Sequence, residues 1–501
     1  MIRKLPPLFP VLAPFLLVTI FFWILSCATN PATGRSQLIF LSAEKEIALG
    51  REAHPQILSE YGNYGDSELS AWVKTLGEDM AAKTETPTLP FSFTVLDSPI
   101  INAFALPGGP TYITRGLLAH ANDAAQVAGV VGHEIGHVVA RHGAEQMSRA
   151  QLLQGALGVA TIASRRVRQV SNLLGTGAQL LLLSNSRQAE NEADRLGVRY
   201  AARAGYDPRG VAEFMRVLDR VADRAGASIP SWQSTHPDPG GRAERALELA
   251  QPIVQEKKER GVAMRRDRDA FFDRIDNMVF GDDPRQGFVY DGAFRHPEMG
   301  FRFDIPEGWN TVNTRLFFAA TNAAQNPSAR FVLRVVPEDQ REGRTPSAYV
   351  ERLRQENSGA RFEGSATTVH RMPAWIGRIV VSGSGGGQDT LFGAWIDHGD
   401  TLYQFLGQWS AENSGAAALI EKSVRSFRHE NDETVLGVKP VVIRFVEAGA
   451  GQTPQQVCDE HRELAVPCRD AVLINQLAKR NTPLSQRQKL KFPTRQSKIY
   501  P

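Results

Sequence analysis

A short run of histidine and glutamate constrains this chain more than any other feature of its 501 residues. His133 and His137 are four positions apart, and Glu134 lies between them. The surrounding residues predict a helix that begins after Asp123 and ends at His142. Because residues four apart lie on one face of a helix, both imidazoles can reach a single metal ion. Glu134 is then placed to take a proton from a water that the metal activates.

A second acidic segment supplies the further ligand that a catalytic zinc site needs, since such sites usually have three protein ligands and one open position. Glu190 and Asp194 lie four positions apart in a second predicted helix and share a face, whereas Glu192 points elsewhere. The economical arrangement uses Glu190 as the third ligand. Asp194 then accepts a hydrogen bond from the far nitrogen of a ligand histidine and fixes its tautomer. The alternative is a helix with acidic residues on its surface.

Five segments in a fixed order resemble peptidase family M48, a family of zinc metallopeptidases. The segments are Asn102-Ala-Phe-Ala-Leu-Pro-Gly-Gly109, Thr114-Arg-Gly-Leu-Leu118, His133 to His137, Glu190 to Asp194 and Ser234-Thr-His-Pro237. The resemblance extends over residues 28–260. It implies that His133, His137 and Glu190 bind one zinc ion, that Glu134 is the catalytic base and that Asp194 assists it.

The resemblance also carries two further assignments. In some members of the family the histidine at the position of His236 fills the fourth place on the zinc, which implies a latent resting enzyme. The alternative role of His236 is to orient substrate or to cap a loop. Asn102, Ala103 and Phe104 are the candidate edge strand that pairs with an extended substrate. The alternative is an ordinary core strand.

The N-terminus has the pattern of a bacterial export signal. Basic residues precede an apolar run from Leu5 to Leu25, and Cys27 follows. This arrangement resembles a lipobox, which implies that Cys27 is lipidated, and residues 27–35 look like the start of the lipoprotein branch of the family. Ala28 after the cysteine resembles a sorting signal for the outer membrane. The alternative is an uncleaved membrane anchor, because the run is about as long as a bilayer requires.

The three cysteines and the charge balance exclude several classes of protein. Three cysteines cannot build a disulfide scaffold or an all-cysteine zinc site. Because an exported chain enters an oxidising compartment, we expect a local disulfide between Cys458 and Cys468, with two free buried thiols as the alternative. The net charge of +3 gives no general attraction to nucleic acid.

The predicted fold class is a multidomain α+β chain. A mainly helical, zincin-like (gluzincin) peptidase domain with a small edge-strand sheet is followed by an α+β domain and a small C-terminal domain. The predicted boundaries are 1–27 for the signal peptide, 28–262 for the peptidase domain, 263–285 for a charged helical linker, 286–430 for an α+β domain of unknown role and 431–501 for the C-terminal domain. The last of these weakly resembles a LysM glycan-binding module, and the alternative is a plain basic domain. Two apolar stretches, Leu152–Ala163 and Leu173–Leu183, predict buried helices, with shallow membrane contact as the alternative.

Together these features predict a zinc endopeptidase on the periplasmic side of the bacterial cell envelope, acting on extended or unfolded envelope proteins. One alternative is a zinc-stabilised chaperone or assembly factor that holds its clients without cutting them. Glu134 argues against it, because binding alone needs no base. A second alternative is an envelope protein that binds peptidoglycan through its C-terminal domain.

Overall fold

The computed structural model describes residues 27–156, 185–225, 232, 236, 239–323, 327–382 and 388–497. The signal segment before Cys27 and most of the two apolar stretches between residues 152 and 183 lie outside the described residues. The described residues form two compact units: those up to Gly281 with Val442–Thr494 make unit 1, and Asp282–Val441 with the residues after Thr494 make unit 2. No described helix is both long enough and apolar enough to cross a membrane.

The first part of unit 1 is mainly helical. Its helices are α1 Ala43–Tyr61, α2 Ser67–Ala81, α3 Arg115–His120, α4 Ala124–Val139, α5 His142–Ala156, α6 Arg187–Arg203, α7 Arg209–Ala225, α8 Pro239–Glu259 and α9 Arg268–Ile275. Its strands are β1 Cys27–Thr29, β2 Ser36–Leu38, β3 Ser92–Leu96, β4 Ala103–Ala105 and β5 Pro110–Thr114. β1 and β2 form an antiparallel hairpin. The other three strands form a sheet in the order β3-β5-β4, so β4 lies at its edge.

Unit 2 is built around two sheets, so the described chain has the mixed α+β class that the sequence predicts, with a helical N-terminal part and sheets later. Its strands are β6 Phe288–Tyr290, β7 Ala293–His296, β8 Phe301–Asp304, β9 Asn310–Asn313, β10 Phe318–Thr321, β11 Ala329–Val335, β12 Ala360–Val369, β13 Met372–Ser382, β14 Gln388–His398, β15 Thr401–Trp409 and β16 Arg428–His429. Its helices are α10 Glu338–Arg341, α11 Pro346–Glu356, α12 Ala416–Arg425 and α13 Glu433–Leu436. The larger sheet has the order β12-β13-β14-β15-β11-β10-β9, and the smaller has the order β16-β8-β7-β6.

The C-terminal segment returns to unit 1. It consists of β17 Val442–Ala448, α14 Pro454–Glu460, α15 Cys468–Ile474 and β18 Gln488–Thr494. β17 pairs with β18 in an antiparallel ribbon. Ile443 is fully buried in the same apolar cluster as α4, and its backbone exchanges hydrogen bonds with Asn277 and Met278 after α9. The domain boundaries proposed from the sequence stay predictions.

The helix that carries the two histidines begins where the sequence predicts. Asp123 is its N-cap, and the Asp123 side chain accepts a hydrogen bond from the backbone N–H of Gln126 at 2.9 Å. The predicted end at His142 is wrong, because α4 stops at Val139. Arg141 then adopts a left-handed conformation with φ of 57°. This turn breaks the helix, and His142 starts α5.

Candidate metal centre

Four side chains from α4, α6 and the segment before α8 converge in unit 1. One ligand atom from each of His133, His137, Glu190 and His236 lies within 4.8 Å of all the others. His137 Nε2 is 3.0 Å from His133 Nε2 and 3.3 Å from Glu190 Oε1. Glu190 Oε2 is 3.5 Å from His133 Nε2. The structure therefore brings together the two histidines of α4 and the first acid of α6.

The spacing of these atoms fits a zinc ion. Zinc bonds to nitrogen and oxygen of about 2.0–2.2 Å, at tetrahedral angles, place ligand atoms roughly 3.3–3.6 Å apart. The observed separations of 3.0–3.5 Å lie close to that range. Imidazole and carboxylate are also the donors that catalytic zinc uses. His236 Nδ1 is 3.1 Å from both carboxylate oxygens of Glu190, so a fourth donor is within reach of the same point.

Close contact between α4 and α6 brings the acid to the histidines. Two glycines, Gly136 on α4 and Gly197 on α6, stand at the contact. A Cβ on Gly197 would lie 2.9 Å from the backbone nitrogen of His133, and one on Gly136 would lie 3.1 Å from the carbonyl oxygen of Ala193. Because glycine places no side chain at either position, the two helices can approach closely enough for Glu190 to face α4.

Asp194 lies on the same face of α6, one turn beyond Glu190, as its spacing predicts. Its Oδ1 atom is 2.9 Å from His133 Nδ1, the ring nitrogen that faces away from the cluster. Burial disfavours the Asp194 carboxylate, but hydrogen bonds from Arg242 outweigh it and hold the pKa of Asp194 below its usual range. Asp194 is thus placed to accept a hydrogen bond from His133 Nδ1–H, which leaves Nε2 free for a metal.

Arg242 on α8 is a site residue that the sequence did not reveal. Its guanidinium donates to both oxygens of Asp194, at 2.8 and 2.6 Å, and lies 2.6 Å from Glu190 Oε2. It is only 4% exposed. The sequence of the charged segment that contains Arg242 predicts a solvated helix, because basic and acidic residues are interspersed along it. No local pattern singles out the one arginine that is buried.

The charges around the cluster leave room for a divalent cation. Glu134, Glu190 and Asp194 are all buried and carry three formal negative charges, whereas Arg242 supplies one positive charge. These four groups therefore carry a formal net charge of −2. Buried charges are tolerated when they are paired or bind a metal. A doubly charged ion at the centre of the cluster would balance this charge.

Glu134 faces a cleft beside the cluster. Its Oε1 atom is 3.7 Å from His236 Nε2. The cleft is bordered by His133, Glu134 and His236. The rest of the lining is mainly apolar and includes Leu117, Val130, Val211, Phe214, Met215 and Leu218. Glu134 is therefore close to the histidines and in reach of a molecule in the cleft.

The candidate substrate strand starts at the same cleft. Asn102 and Ala103 line it, and Ala103 begins β4, the edge strand of its sheet. Among the described residues the buried Oδ1 atom of Asn102 has no hydrogen-bond partner. The Phe104 side chain instead packs in the core, with its ring centroid 4.9 Å from that of Tyr112. Its backbone pairs with Tyr112 of β5, so Phe104 itself does not border the cleft.

The remaining predicted residues lie away from the cluster. The structure joins Cys458 and Cys468, at the facing ends of α14 and α15, by a disulfide bond. Cys27 begins β1, but its side chain is outside the described part of the chain, so lipidation stays a prediction. Glu192, which helical spacing turns away from Glu190, is buried on the other side of α6.

Several relatives with names are similar to just under half of the chain. The chain is 32% identical over 268 residues to a protein named Metalloendopeptidase OMA1, mitochondrial, from Bos taurus, which covers 47% of this chain and 48% of the relative. It is 32% identical over 231 residues to the Beta-barrel assembly-enhancing protease of Yersinia pestis, covering 44% and 47%. The corresponding protein of Escherichia coli K12 is 30% identical over 247 residues, covering 47% and 50%. The chain thus spans about half the length of these relatives.

A likeness to a solved structure covers about a quarter of the chain. The solution structure of cyanobacterial PsbP from Synechocystis matches 27% of this chain and 91% of its own, with 13% identity and a TM-score of 0.23. A score this low carries no argument about function.

The family comparison agrees with the geometry. The model of Peptidase family M48 matches residues 67–250, a range that contains α4, α6 and His236. A relative named as a metalloendopeptidase is similar to 47% of the chain. The residue order, the convergence of four side chains that could hold a metal ion and these similarities lead to one conclusion: residues 67–250 belong to a domain of peptidase family M48.

Proposed function

We propose that this chain is a zinc-dependent endopeptidase that hydrolyses unfolded or misassembled proteins of the cell envelope. The observation that carries the proposal is the convergence of His133 and His137 with Glu190, with Glu134 directly beside His133 on the same helix. In this gluzincin-like arrangement three side chains hold the ion and a fourth is left for proton transfer. Asp194 holds the His133 ring in the orientation that metal binding requires.

The chemistry divides between the ion and the protein. When bound at this cluster, zinc would act as a Lewis acid for water and for the substrate carbonyl. Glu134 accepts the proton of the attacking water and later donates it to the amine that leaves. Arg242 stays with Asp194 and Glu190, so that their negative charges remain balanced during the proton transfer. The buried setting of Glu134 keeps the proton from exchanging freely with solvent.

The substrate class follows from the cleft beside Glu134. Edge strand β4 offers backbone groups that an extended polypeptide can pair with, which selects for unfolded segments rather than for a sequence. Asn102 presents a buried amide oxygen at the start of that strand, and this oxygen can accept a hydrogen bond from the substrate backbone. The apolar side chains around Phe214 and Met215 suit an apolar residue of the substrate. Folded proteins present few such segments, whereas misassembled ones expose them.

His236 supports a latent resting state. Its Nδ1 atom faces Glu190 and His133, where it can fill the place that a water molecule would need. We propose that His236 acts as a fourth ligand and must leave before substrate is cleaved.

The cell-envelope assignment draws on the N-terminus and on one relative. Lipidation at Cys27 would anchor the chain on the periplasmic side, in the outer membrane. One group of relatives is named for enhancing β-barrel assembly, which supports a role with envelope proteins. Contact of the C-terminal segment with peptidoglycan stays a second prediction. Because Ile443 belongs to the core of unit 1, a peptidoglycan pull-down should use the whole chain.

The proposed function is tested by replacing the base alone. In Glu134→Gln we expect bound zinc to stay at the wild-type level while cleavage of casein, an unfolded protein, disappears. Glu78→Gln, an exposed substitution on α2, is the matched control and should cleave as wild type does. Client binding without any cleavage by the wild type and by His236→Ala would favour the chaperone alternative.

A further inference from the structure

His137 has a partner on each of its ring nitrogens. Nε2 faces the cluster, 3.3 Å from Glu190 Oε1. Nδ1 faces the opposite way and is 2.9 Å from Nδ1 of His142. His142 is only 1% exposed, so water cannot replace this contact. The orientation of the His137 ring is therefore set by a second histidine that touches no other member of the cluster among the described residues.

The tautomers along this contact are fixed by hydrogen-bonding rules. If Nε2 of His137 binds a metal, its proton must be on Nδ1, which then donates to His142 Nδ1. The His142 Nδ1 atom accepts, so the proton of His142 must be on Nε2. That atom is 3.4 Å from Oε2 of Glu192, a carboxylate that can only accept when it is ionised. In this series of contacts, the N–H donors of His137 and His142 thus both point away from the metal and towards Glu192.

Glu192 is in turn held by the segment that follows Cys27. Asn30 Nδ2 and Thr33 Oγ1 both donate to Glu192 Oε1, at 2.8 and 2.6 Å. Arg35 Nη2 lies 3.4 Å from Oε2. These three residues stand between β1 and β2, which pair as a hairpin. The acid that points away from the cluster therefore links α6 to the N-terminal hairpin.

The turn between α4 and α5 brings His142 into this position. Arg141 has a left-handed backbone, which a residue with a side chain adopts only when its surroundings hold it there. The Arg141 guanidinium bonds to the carboxylate of Glu46 and donates to the carbonyl oxygen of Leu41 at 2.8 Å. Gln37 of β2 also donates to the carbonyl oxygen of Ala140, at 2.9 Å. Contacts from distant parts of the chain thus fix the break in the helix.

We infer that His142 and Glu192 are positioning residues for the ligand His137, and that the β1–β2 hairpin sets metal affinity by holding Glu192. The inference rests on the proposed metal site but not on catalysis. Partners of this kind typically change metal affinity by about 10- to 100-fold when they are removed. The hairpin starts at the residue predicted to be lipidated, so the tether and the metal centre share one hydrogen-bonded network.

The test measures zinc affinity of the whole chain by competition with a chromophoric chelator. We expect His142→Leu to weaken zinc binding by about 10- to 100-fold, because His137 Nδ1–H loses its acceptor. His142→Gln retains a side-chain oxygen acceptor and should recover most of the affinity. A purely structural role of His142 would affect both variants alike. The visible spectrum of the cobalt-substituted protein should shift in the leucine variant and return towards wild type in the glutamine variant.

The hairpin is tested separately with a substitution that preserves shape. Thr33→Val removes one donor to Glu192 and should weaken zinc binding by a few-fold, whereas Thr29→Val, at an exposed position on β1, should leave it unchanged. If His142→Leu fails to fold, the zinc affinities of Thr33→Val and Glu192→Gln test the inference, and both are expected to be lower than in the wild type. Wild-type zinc affinity in His142→Leu, Glu192→Gln and Thr33→Val would overturn the inference while leaving the proposed function intact. A wild-type chain that binds no zinc would instead remove the proposed function itself.

Discussion

His133 Nδ1 lies 2.9 Å from Oδ1 of Asp194, and the Arg242 guanidinium binds both oxygens of that same carboxylate. The three side chains come from α4, α6 and α8, so the contact ties together the helices that surround the cluster. It also explains how a buried cluster of acidic residues can exist in a folded chain. Arg242 neutralises part of the charge, and the rest remains for a cation.

Removal of Arg242 should therefore destabilise the metal-free protein severely. In Arg242→Met two buried carboxylates, Asp194 and Glu190, lose their counter-charge, which typically costs about 3–5 kcal/mol of unfolding free energy. Urea denaturation of the metal-free protein measures the effect. Arg245→Met, an exposed position on the same helix, is the control and should change stability by less than about 0.5 kcal/mol. Equal stability of the two variants would show that Arg242 is not needed for charge balance.

The contact between α4 and α6 should not tolerate a methyl group. In Gly197→Ala the added Cβ meets the backbone of His133 at 2.9 Å, so the helices must move apart. Overpacking of this kind costs about 1–3 kcal/mol, and the displacement should also lower zinc affinity. Thermal denaturation and chelator competition report the two effects. Gly65→Ala is the control, because no atom lies within 4 Å of its added Cβ.

Lys491 on β18 should make stability depend on pH. Its amino group is fully buried and donates to the carbonyl oxygens of Ala119 and Ala121, both at 2.7 Å. Burial, with a smaller effect of Arg268, lowers the pKa of Lys491 well below its usual value of 10.5. Between the lowered pKa and 10.5 the unfolded chain binds a proton that the folded chain does not, so stability rises with pH through that window.

Urea midpoints measured up to about pH 10 test this titration. Wild type should gain stability with pH more steeply than Lys491→Met, which has no titrating group at this position. Lys489→Met, two residues away and partly exposed, should keep the wild-type slope. Parallel curves for wild type and Lys491→Met would contradict the assignment.

His236→Ala should raise basal cleavage of an unfolded substrate if His236 occupies the fourth ligand position. The substitution opens that position while His133, His137 and Glu190 remain to hold the ion. Cleavage of casein at matched zinc content measures the change. Unchanged or lower cleavage with zinc retained would show that His236 orients substrate or caps its loop instead.

The local parts of the site were accessible from the sequence because helical periodicity fixes them. Residues four apart share a face, so the pair His133 and His137, and the pair Glu190 and Asp194, could each be placed on one side of a helix. The same periodicity turned Glu192 away from the cluster, and the structure puts it there. Its partner Asn30 is 162 positions distant, and no pattern within α6 could reveal it.

Features that depend on distant contacts escaped prediction. Arg242 lies in a charged stretch that resembles a solvated surface, and only the fold shows that it is buried. The early end of α4 depends on Arg141, whose conformation is held by Glu46 from α1. The return of the C-terminal segment to unit 1 depends on the burial of Ile443 and Lys491, which a strand pattern alone does not indicate.

The central claim is that two helices hold one zinc ion through three side chains, and zinc content tests it most directly. Metal analysis of the purified whole chain should find a single zinc ion in the wild type and in Glu248→Gln, an exposed substitution on α8. Glu190→Gln, which removes only the charge of the third ligand, should lose most of the zinc while keeping its fold. Full zinc content in Glu190→Gln, or none in the wild type after zinc is supplied, would contradict the claim.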